Sequence, residues 1–326
     1  MKKCLVLVVS VLLLAACTSK QDKLFKQAQL ATDKGEFTKA IQLYTAVLKK
    51  NPKHIAARTN RGVLFERLKT KSARERLKNQ KLAEQDYVQA LEGAPNVPET
   101  YNNLGSLLLD MGRYSDAVYY LQRATNIRPK YFMAWMNLGI AYYQQGRITE
   151  SLTSFAKAYN IRQDYPMFFL NRGLAYFALG DYEAAVADYT TLLRLQGPSA
   201  RALLERGRAF AKMKYYANAM DDFEQAAHLK PTYALAYYYM GELLFQRGET
   251  DAALGMLAKT KELASKYVPA YDLMGDMLAL EDPQGAVANY LVARKLDPAN
   301  AAKYEYKMRM MRTAAGRQAV VARRFL

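Results

Sequence analysis

Glycine returns at a fixed interval over most of this 326-residue chain. The column consists of Gly62, Gly105, Gly139, Gly173, Gly207, Gly241 and Gly275. The first interval is 43 residues and the next five are all 34. A period of this length is typical of solenoids, in which each repeat is one supersecondary unit that buries its apolar face only against its neighbours. The period therefore excludes most globular folds.

Further columns appear when the chain is aligned on these glycines. Twelve residues after the glycine stands a small residue, such as Ala117, Ser151 or Ala185, and four residues later a ring or a leucine. Small residues let two helices approach closely, and larger ones fill the remaining space, so each period predicts a pair of antiparallel helices. First helices are predicted to end at Gly35, Gly112, Gly146, Gly180 and Gly248. Second helices are predicted to stop before Pro52, Pro95, Pro129, Pro231 and Pro298.

This period, with its glycine, alanine and proline columns, resembles the tetratricopeptide repeat family. The resemblance implies an all-α chain, a right-handed superhelix (α-solenoid) of about eight helix-turn-helix repeats whose first helices line the concave face. Repeat 2 carries nine extra residues within Leu68–Leu82. A basic capping helix is expected over 301–326, broken at Gly316, to cover the apolar end of the last repeat. The repeats are expected at residues 21–54, 55–97, 98–131, 132–165, 166–199, 200–233, 234–267 and 268–300.

The first residues predict the compartment. A basic start and an apolar run from Leu5 to Ala16 are typical of a cleaved secretory signal peptide, here residues 1–16. The segment Leu14-Ala15-Ala16-Cys17 resembles the bacterial lipobox, which implies a lipoprotein whose Cys17 carries acyl chains such as palmitate. By resemblance to the proteobacterial sorting rule, Thr18 favours the outer membrane, with the anchored chain facing the periplasm. Residues 17–20 would form a short tether. The alternative is an ordinary signal followed by a chance cysteine.

The sequence contains few of the residues that catalysis or metal binding requires. It has no phosphate-binding glycine loop or nucleophile motif, and its two histidines, His54 and His228, lie 174 residues apart. We expect both to be surface or capping residues, and the Asp221-Asp222 pair to lie on a solvated helix face. Since the repeats leave no room for a catalytic domain, the sequence predicts no enzyme, no cofactor and no metal site.

The predicted concave face carries amides and apolar side chains. Asn60, Asn103, Asn137 and Asn171 stand two residues before the glycine in four successive repeats. An amide both donates and accepts, so a row of them would hold an extended peptide backbone. This arrangement resembles the asparagine ladder of peptide-binding tetratricopeptide superhelices, although asparagine is also simply common at this column. Apolar residues around the row predict contact with an apolar or amphipathic segment, the alternative being that an error of one residue in phase places some of them in the core between helices. These apolar residues are Met133, Met136, Ile140, Tyr143, Met167, Leu170, Leu174, Phe177, Tyr238 and Phe245.

Positive charge gathers at the two ends of the chain. Of the net +17, residues 17–97 carry +9 and residues 301–326 carry +6, while residues 98–300 are neutral. Export excludes cytosolic nucleic acid as the partner that such basicity usually suggests. The cluster at the insertion is expected to contact anionic lipid headgroups or cell-wall polymer beside the anchor, with solvated helix faces as the alternative. It consists of Arg67, Lys69, Lys71, Arg74, Arg76, Lys78 and Lys81. Near the other end, the inward-facing Glu242, Asp272 and Asp276 favour a basic partner.

These features predict an outer-membrane-anchored periplasmic scaffold that binds a peptide or protein segment and assists assembly of an envelope complex. Among lipidated repeat proteins the chain resembles the pilotins of type IV pilus systems, which help secretin subunits reach and assemble in the outer membrane. Two alternatives remain open. One is an adaptor similar to the NlpI-type lipoproteins, which bring peptidoglycan hydrolases and a protease together. The other is a binder of anionic envelope polymer or lipid headgroups through the basic ends.

Overall fold

The computed structural model describes residues 20–324, and all regular secondary structure within that range is helical. This confirms the predicted all-α fold. The chain divides into two compact units, residues 1–163 and 164–326. Cys17 and the signal segment lie outside the described residues.

Helices follow one another in pairs through the described part of the first unit. They are α1 Lys20–Asp33, α2 Phe37–Lys50, α3 Ile55–Arg67, α4 Ala73–Gly93, α5 Pro98–Asp110, α6 Tyr114–Ile127, α7 Phe132–Gln144 and α8 Ile148–Tyr159. Within each pair the two helices pack on one another, and α2, α4 and α6 also contact the first helix of the next pair. Helix α1 already begins at Lys20, which was expected to belong to the tether.

The second unit continues the pattern and then departs from it. Its paired helices are α9 Pro166–Leu179, α10 Tyr182–Gln196, α11 Ala200–Lys212, α12 Tyr216–Leu229, α13 Ala234–Gln246, α14 Thr250–Leu263, α15 Val268–Leu278 and α16 Pro283–Leu296. A short 3-10 turn, Pro298–Asn300, leads to the last two helices, α17 Ala301–Met310 and α18 Ala314–Ala322. The cap is therefore two helices where one was expected.

The glycine column marks the closest approach within a pair. A Cβ added at Gly139 would lie 2.6 Å from Cε1 of Phe155, the ring sixteen residues later, and Gly173 and Gly207 stand equally close to Tyr189 and Phe223. In the fourth pair the small-residue column adds a hydrogen bond, since Ser151 Oγ donates to the carbonyl oxygen of Gly139 at 2.7 Å. The glycines are therefore required by packing, because any larger residue would displace a fully buried ring.

The helices end where the glycines and prolines of the sequence predict. The five glycines expected to end first helices all have left-handed backbones, with φ between +73° and +91°. Each of the five prolines stands two residues beyond the end of a second helix. His54 caps α3, its Nδ1 accepting from the backbone N–H of Ala57, and His228 is exposed on α12.

Lys214 occupies the position of these glycines in the sixth pair. Its φ is +64°, in the left-handed region that costs an L-residue about 1–2 kcal/mol. Lys214→Gly should therefore raise the free energy of unfolding by about 1 kcal/mol, part of the gain being lost to the greater entropy of the unfolded chain. Urea denaturation of the two proteins measures the difference. Gly180→Lys, the reverse change one repeat earlier, should lower stability by a similar amount, and equal midpoints for all three chains would contradict this account.

The insertion extends the second helix of the second pair. Helix α4 has 21 residues, whereas the other second helices of the described pairs have 12 to 15. Ser72 caps it by accepting from the backbone N–H of Glu75 at 3.2 Å. The inserted residues therefore form additional helix that projects beyond the helix pair.

Buried arginine–aspartate pairs recur in the second, fifth and sixth helix pairs. The arginine just before the column glycine forms two hydrogen bonds with the aspartate just before the column ring, at 2.7–2.9 Å. The pairs are Arg61–Asp86, Arg172–Asp188 and Arg206–Asp222. Each aspartate is at most 3 % exposed. The expectation that Asp222 lies on a solvated face is therefore wrong, since burial and the guanidinium hold its carboxylate inside.

The end of the second unit is closed by α17. Tyr304 and Met311 pack in one apolar cluster with Tyr290 and Ala293 of α16. The cap bends at Met311–Thr313 and not at the expected Gly316, because Thr313 Oγ1 accepts from the backbone N–H of Gly316 and starts a new helix there. Helix α18 then folds back toward the first helices of the unit.

Candidate protein-binding surface

Three asparagines of the first unit form a connected group on neighbouring first helices. Asn137 Nδ2 on α7 donates to Asn102 Oδ1 on α5 at 3.0 Å, and Asn102 Nδ2 lies 3.5 Å from Asn103 Oδ1. Asn103 Nδ2 and Asn137 Oδ1 have no hydrogen-bond partner among residues 20–324, so a donor and an acceptor remain for a ligand. Asn60, on α3, instead donates to the hydroxyl of Tyr44 at 3.2 Å.

Apolar side chains flank the asparagines on α7. Met133 is 38 % exposed, and Ile140 and Tyr143 are half-buried. Met136 is only 2 % exposed, so its predicted place on the surface is wrong. It stands three residues before the column glycine, the same position as Asn102 and Thr59. Thr59 Oγ1 lies 3.3 Å from Thr100 Oγ1 on the next first helix. This position faces the neighbouring first helix, which is why it is buried.

In the second unit, α9 and α11 present a comparable mixture of residues. Met167 is 40 % exposed, and Leu174 and Phe177 are half-buried. Leu170, at the same buried position as Met136, is 4 % exposed and is likewise corrected from surface to interior. Asn171 Nδ2 donates to the carbonyl oxygen of Met167 on its own helix at 2.8 Å.

An arginine joins the aromatic residues of this second surface. The guanidinium of Arg208 lies 4.8 Å from the ring centre of Phe177 and 5.1 Å from that of Tyr239, and Arg208 forms an ion pair with Glu205. Three successive first helices, α9, α11 and α13, are thereby linked. Arg208 was not among the residues predicted for this surface. The available signal was its position one residue after the column glycine, the same position as Ile140 and Leu174.

Tyr238 and Phe245 of α13 are buried, at 6 % and 9 % exposed, which corrects their predicted place on an open groove. Tyr238 stands three residues before the column glycine, the position of Met136 and Leu170 that faces the neighbouring first helix. Tyr238 and Phe245 belong to an apolar cluster against which Val321 of α18 packs. Arg324, just beyond α18, reaches the Tyr238 hydroxyl and Glu242 at 3.4 Å each. Part of the predicted surface is therefore covered by the chain's own C-terminal segment.

The acidic residues next to this contact also bind the chain itself. Lys307 Nζ lies 2.6 Å from Oδ1 of both Asp272 and Asp276, and Lys303 Nζ donates to Asp272 at 2.8 Å. Burial alone would raise the pKa of Asp272, but the two ammonium groups outweigh it and hold this pKa below its ordinary value. Burial and the neighbouring charge of Asp272 keep the pKa of Asp276 above its ordinary value.

The seven cations at the insertion are exposed and form no ion pair within the described residues. Arg74, Lys78 and Lys81 share one face of α4 with Leu77, which is 47 % exposed. On another side, Arg67 and Arg76 adjoin Glu66, whose carboxylate accepts a hydrogen bond from the Tyr87 hydroxyl. Although Glu66 is exposed overall, partial removal of its carboxyl from water raises the pKa of Glu66 above its ordinary value.

No group of three or more His, Cys, Asp or Glu side chains in the described part of the chain is arranged to bind a metal ion. None of the described helices combines the length and apolarity that crossing a membrane requires.

Family comparison agrees with the geometry. A tetratricopeptide repeat model matches residues 25–98, 102–166 and 170–234, and a second model of the same repeat matches residues 234–259. A search of curated proteins finds no significant match.

Solved structures of similar architecture are all distant in sequence. A tetratricopeptide repeat protein from Parabacteroides merdae is 19 % identical with a TM-score of 0.59, covering 79 % of this chain and 98 % of its own. PilF of Pseudomonas aeruginosa is 20 % identical with a TM-score of 0.58, covering 68 % and 97 %. PilW, described as a widely conserved type IV pilus biogenesis factor, is 19 % identical with a TM-score of 0.57, covering 66 % and 96 %. At these identities the likeness establishes the fold.

Proposed function

Because the chain belongs to the tetratricopeptide repeat family, we propose that it is a scaffold that binds a segment of a protein in an envelope complex and assists assembly of that complex. The observation that carries the proposal is the connected group Asn102, Asn103 and Asn137 with its open donor and acceptor. These groups would bond the backbone of an extended segment, while Met133 and Tyr143 contact its side chains. Because its hydrogen bonds are made to the backbone, such a surface accepts segments of varied sequence, as a protein that assists assembly requires.

Among envelope complexes, we favour that of the type IV pilus system. The lipobox-like segment ending at Cys17 supports an outer-membrane anchor, and PilW, one of the similar structures, is a type IV pilus biogenesis factor. The partner would then be a secretin subunit on its way into the outer membrane. An adaptor for peptidoglycan hydrolases and a protease is the alternative, since the same surface would bind their segments.

Asn103→Ala with Asn137→Ala is expected to weaken partner binding roughly tenfold, because each lost hydrogen bond contributes about 0.5–1.5 kcal/mol. The measurement is the amount of assembled secretin in outer-membrane fractions of the source bacterium carrying each variant, alongside capture of secretin by the purified chain. Asn126→Ala with Asn160→Ala is a matched control, since both of these asparagines are exposed in the same unit.

Loss of secretin assembly in the first variant and not in the control would support the pilus assignment. Unchanged secretin together with altered capture of a hydrolase would move the assignment to the adaptor. Unchanged binding of every envelope protein would remove the asparagine group from the proposal.

The anchor and the basic cluster are the second part of the proposed function. Cys17 would carry the lipid, and the exposed cations of α4 with Leu77 would rest on anionic headgroups, each contributing about 1 kcal/mol near such a surface. Cys17→Ser should move the protein from outer-membrane to soluble periplasmic fractions. The soluble variant should still bind vesicles containing anionic lipid at low salt and lose this binding when Arg74, Lys78 and Lys81 are changed to Gln.

Arg309, Arg312 and Arg317 provide the control triple for the vesicle experiment, because they lie in the other basic segment. If both triple substitutions reduce vesicle binding equally, the net charge of the chain is responsible for that binding and the α4 face is not. If the soluble variant does not bind vesicles but binds cell-wall polymer in a salt-dependent way, the polymer is the anionic contact of the α4 face.

A further inference from the structure

Helix α18 lies across two first helices of the second unit, α13 and α15. Its Val321 packs with the cluster that contains Tyr238 and Phe245, and Arg324 contacts Glu242, Asp272 and Asp276. In the preceding repeats of this unit, the first helices α9 and α11 carry Phe177 and Arg208, and among the described residues these helices pack against other helices of the array. Because α18 contacts two first helices, the C-terminal segment sits where a ligand of the array would sit.

The two halves of the cap are held with different strength. In α17, Lys307 makes ion pairs at 2.6 Å and is 14 % exposed. Beyond α18, the Arg324 pairs are longer, at 3.4 to 3.9 Å, and Arg324 is 25 % exposed. Only Gly316 and Val320 are buried within the nine residues of α18. A helix this short is not stable alone in water, so its order depends on these few contacts. The shorter ion pairs of Lys307 therefore hold α17 more firmly than the longer pairs of Arg324 hold the end of α18.

Charge and shape define what the covered site accepts. Glu242, Asp272 and Asp276 supply three carboxylates, and Lys307 remains bound to two of them, leaving Glu242 and the Tyr238 hydroxyl for an incoming cation. A planar guanidinium bonds several acceptors at once, which an ammonium group does less well. Val320 and Arg324 stand four residues apart, the spacing that places an apolar side chain and a cation on one helical face.

We propose that Tyr238, Glu242, Asp272 and Asp276 form a second binding site, for a helical segment of a partner protein that carries an arginine four residues after a valine-sized residue. Helix α18 occupies this site in the free chain and is displaced by the partner. The short Met311–Thr313 linker gives α18 a high effective concentration, so only a partner that is locally concentrated or better matched replaces it. The inference rests on the proposed function only in taking the chain to be a scaffold, and it does not involve the asparagine group.

The test uses the full-length soluble chain and a fluorescent peptide with the sequence of residues 313–324. Arg324→Glu in the chain should release α18 by placing a carboxylate among three others. The peptide should then bind about tenfold or more tightly than it binds the unchanged protein, because the internal competitor is gone. Arg312→Glu is the matched control, since it removes the same charge from an exposed position of the cap. A peptide carrying the Arg324→Glu change should not bind.

Hydrogen exchange provides the second measurement. Amides of α18 should exchange faster in Arg324→Glu, and also in the unchanged chain when it is saturated with the peptide, while those of α15 and α16 keep their protection. Equal peptide affinity for all three chains would overturn the proposal, as would fast exchange in α18 without any gain in peptide binding. A dimer of the unchanged chain that dissociates in Arg324→Glu would show that the occupant is a second copy, and would overturn the assignment to a different partner. These measurements use no envelope partner, so their outcome does not depend on the proposed function.

Discussion

Lys307→Met is expected to lower the free energy of unfolding of the second unit by about 3–5 kcal/mol, the cost of leaving buried charge without its partner. Asp272 and Asp276 are 5 % and 1 % exposed, and Lys307 Nζ bonds both of them at 2.6 Å. Without the Lys307 ammonium group, the two buried carboxylates would keep only Lys303, on Asp272, and the more distant Arg324 as cationic partners. Methionine preserves most of the side-chain volume, so the loss would report on charge.

The destabilisation should depend on pH in a defined direction. Removing Lys307 takes a positive charge away from both aspartates, so the lowered pKa of Asp272 rises, and the pKa of Asp276, already above its ordinary value, rises further. A carboxyl with a raised folded pKa is penalised when ionised, so the difference from the unchanged protein is greatest near neutral pH and shrinks as pH falls below about 5. Urea titrations at several pH values measure it, with hydrogen exchange in α15–α18 showing where the loss occurs.

Lys303→Met is the matched control for this prediction. Lys303 bonds only Asp272 and its side chain is 50 % exposed, so its loss should cost less than about 1 kcal/mol. Equal effects of the two substitutions, or an effect of Lys307→Met that does not vary with pH, would mean that burial of the two aspartates is not what the lysine compensates.

Arg206→Met is the second change with a large expected effect, about 3 kcal/mol of lost stability. The substitution leaves the carboxylate of Asp222, which is 1 % exposed, without its cation. The arginine side chain is 21 % exposed, so replacing it disturbs less of the interior. The next repeat shows which residues could replace this ion pair. In the next repeat the corresponding positions are Met240 and Met256, and that helix pair folds without an ion pair there.

The double variant Arg206→Met with Asp222→Met should therefore recover most of the lost stability, because a buried ion pair replaced by apolar residues of similar volume is often neutral or stabilising. A thermal and urea series of the four proteins completes a double-mutant cycle. If the double variant is no more stable than Arg206→Met, the pair contributes through a specific geometry that methionine cannot replace.

Column spacing made the helix pairs predictable from sequence. The glycine, small-residue and ring positions repeat because the same backbone contact recurs, and Gly139 against Phe155 is one instance of it. The arginine–aspartate pairs were also visible in principle, since Arg172–Asp188 and Arg206–Asp222 are both sixteen residues apart. The nine-residue insertion widened Arg61–Asp86 to twenty-five and hid the third instance.

The surface was predicted less well than the interior. Adjacent first helices touch at the position of Met136 and Leu170, and a periodic pattern alone does not show whether a position faces a neighbouring helix or solvent. The path of α18 was not predictable for a different reason. The cap lies outside the repeats, so no column relates Arg324 to Glu242, which precedes it by 82 residues.

Helix α17 has a consequence for how copies of this chain meet. An array of helix pairs exposes, at its last pair, the same kind of face on which another pair would stack, and such ends invite linear polymerisation. Here Tyr304 and Met311 pack on that face, and α17 keeps the charged residues Glu305 and Arg309 exposed to water. Head-to-tail growth from this end is thereby blocked, so crowding many copies together at high density need not lead to filaments.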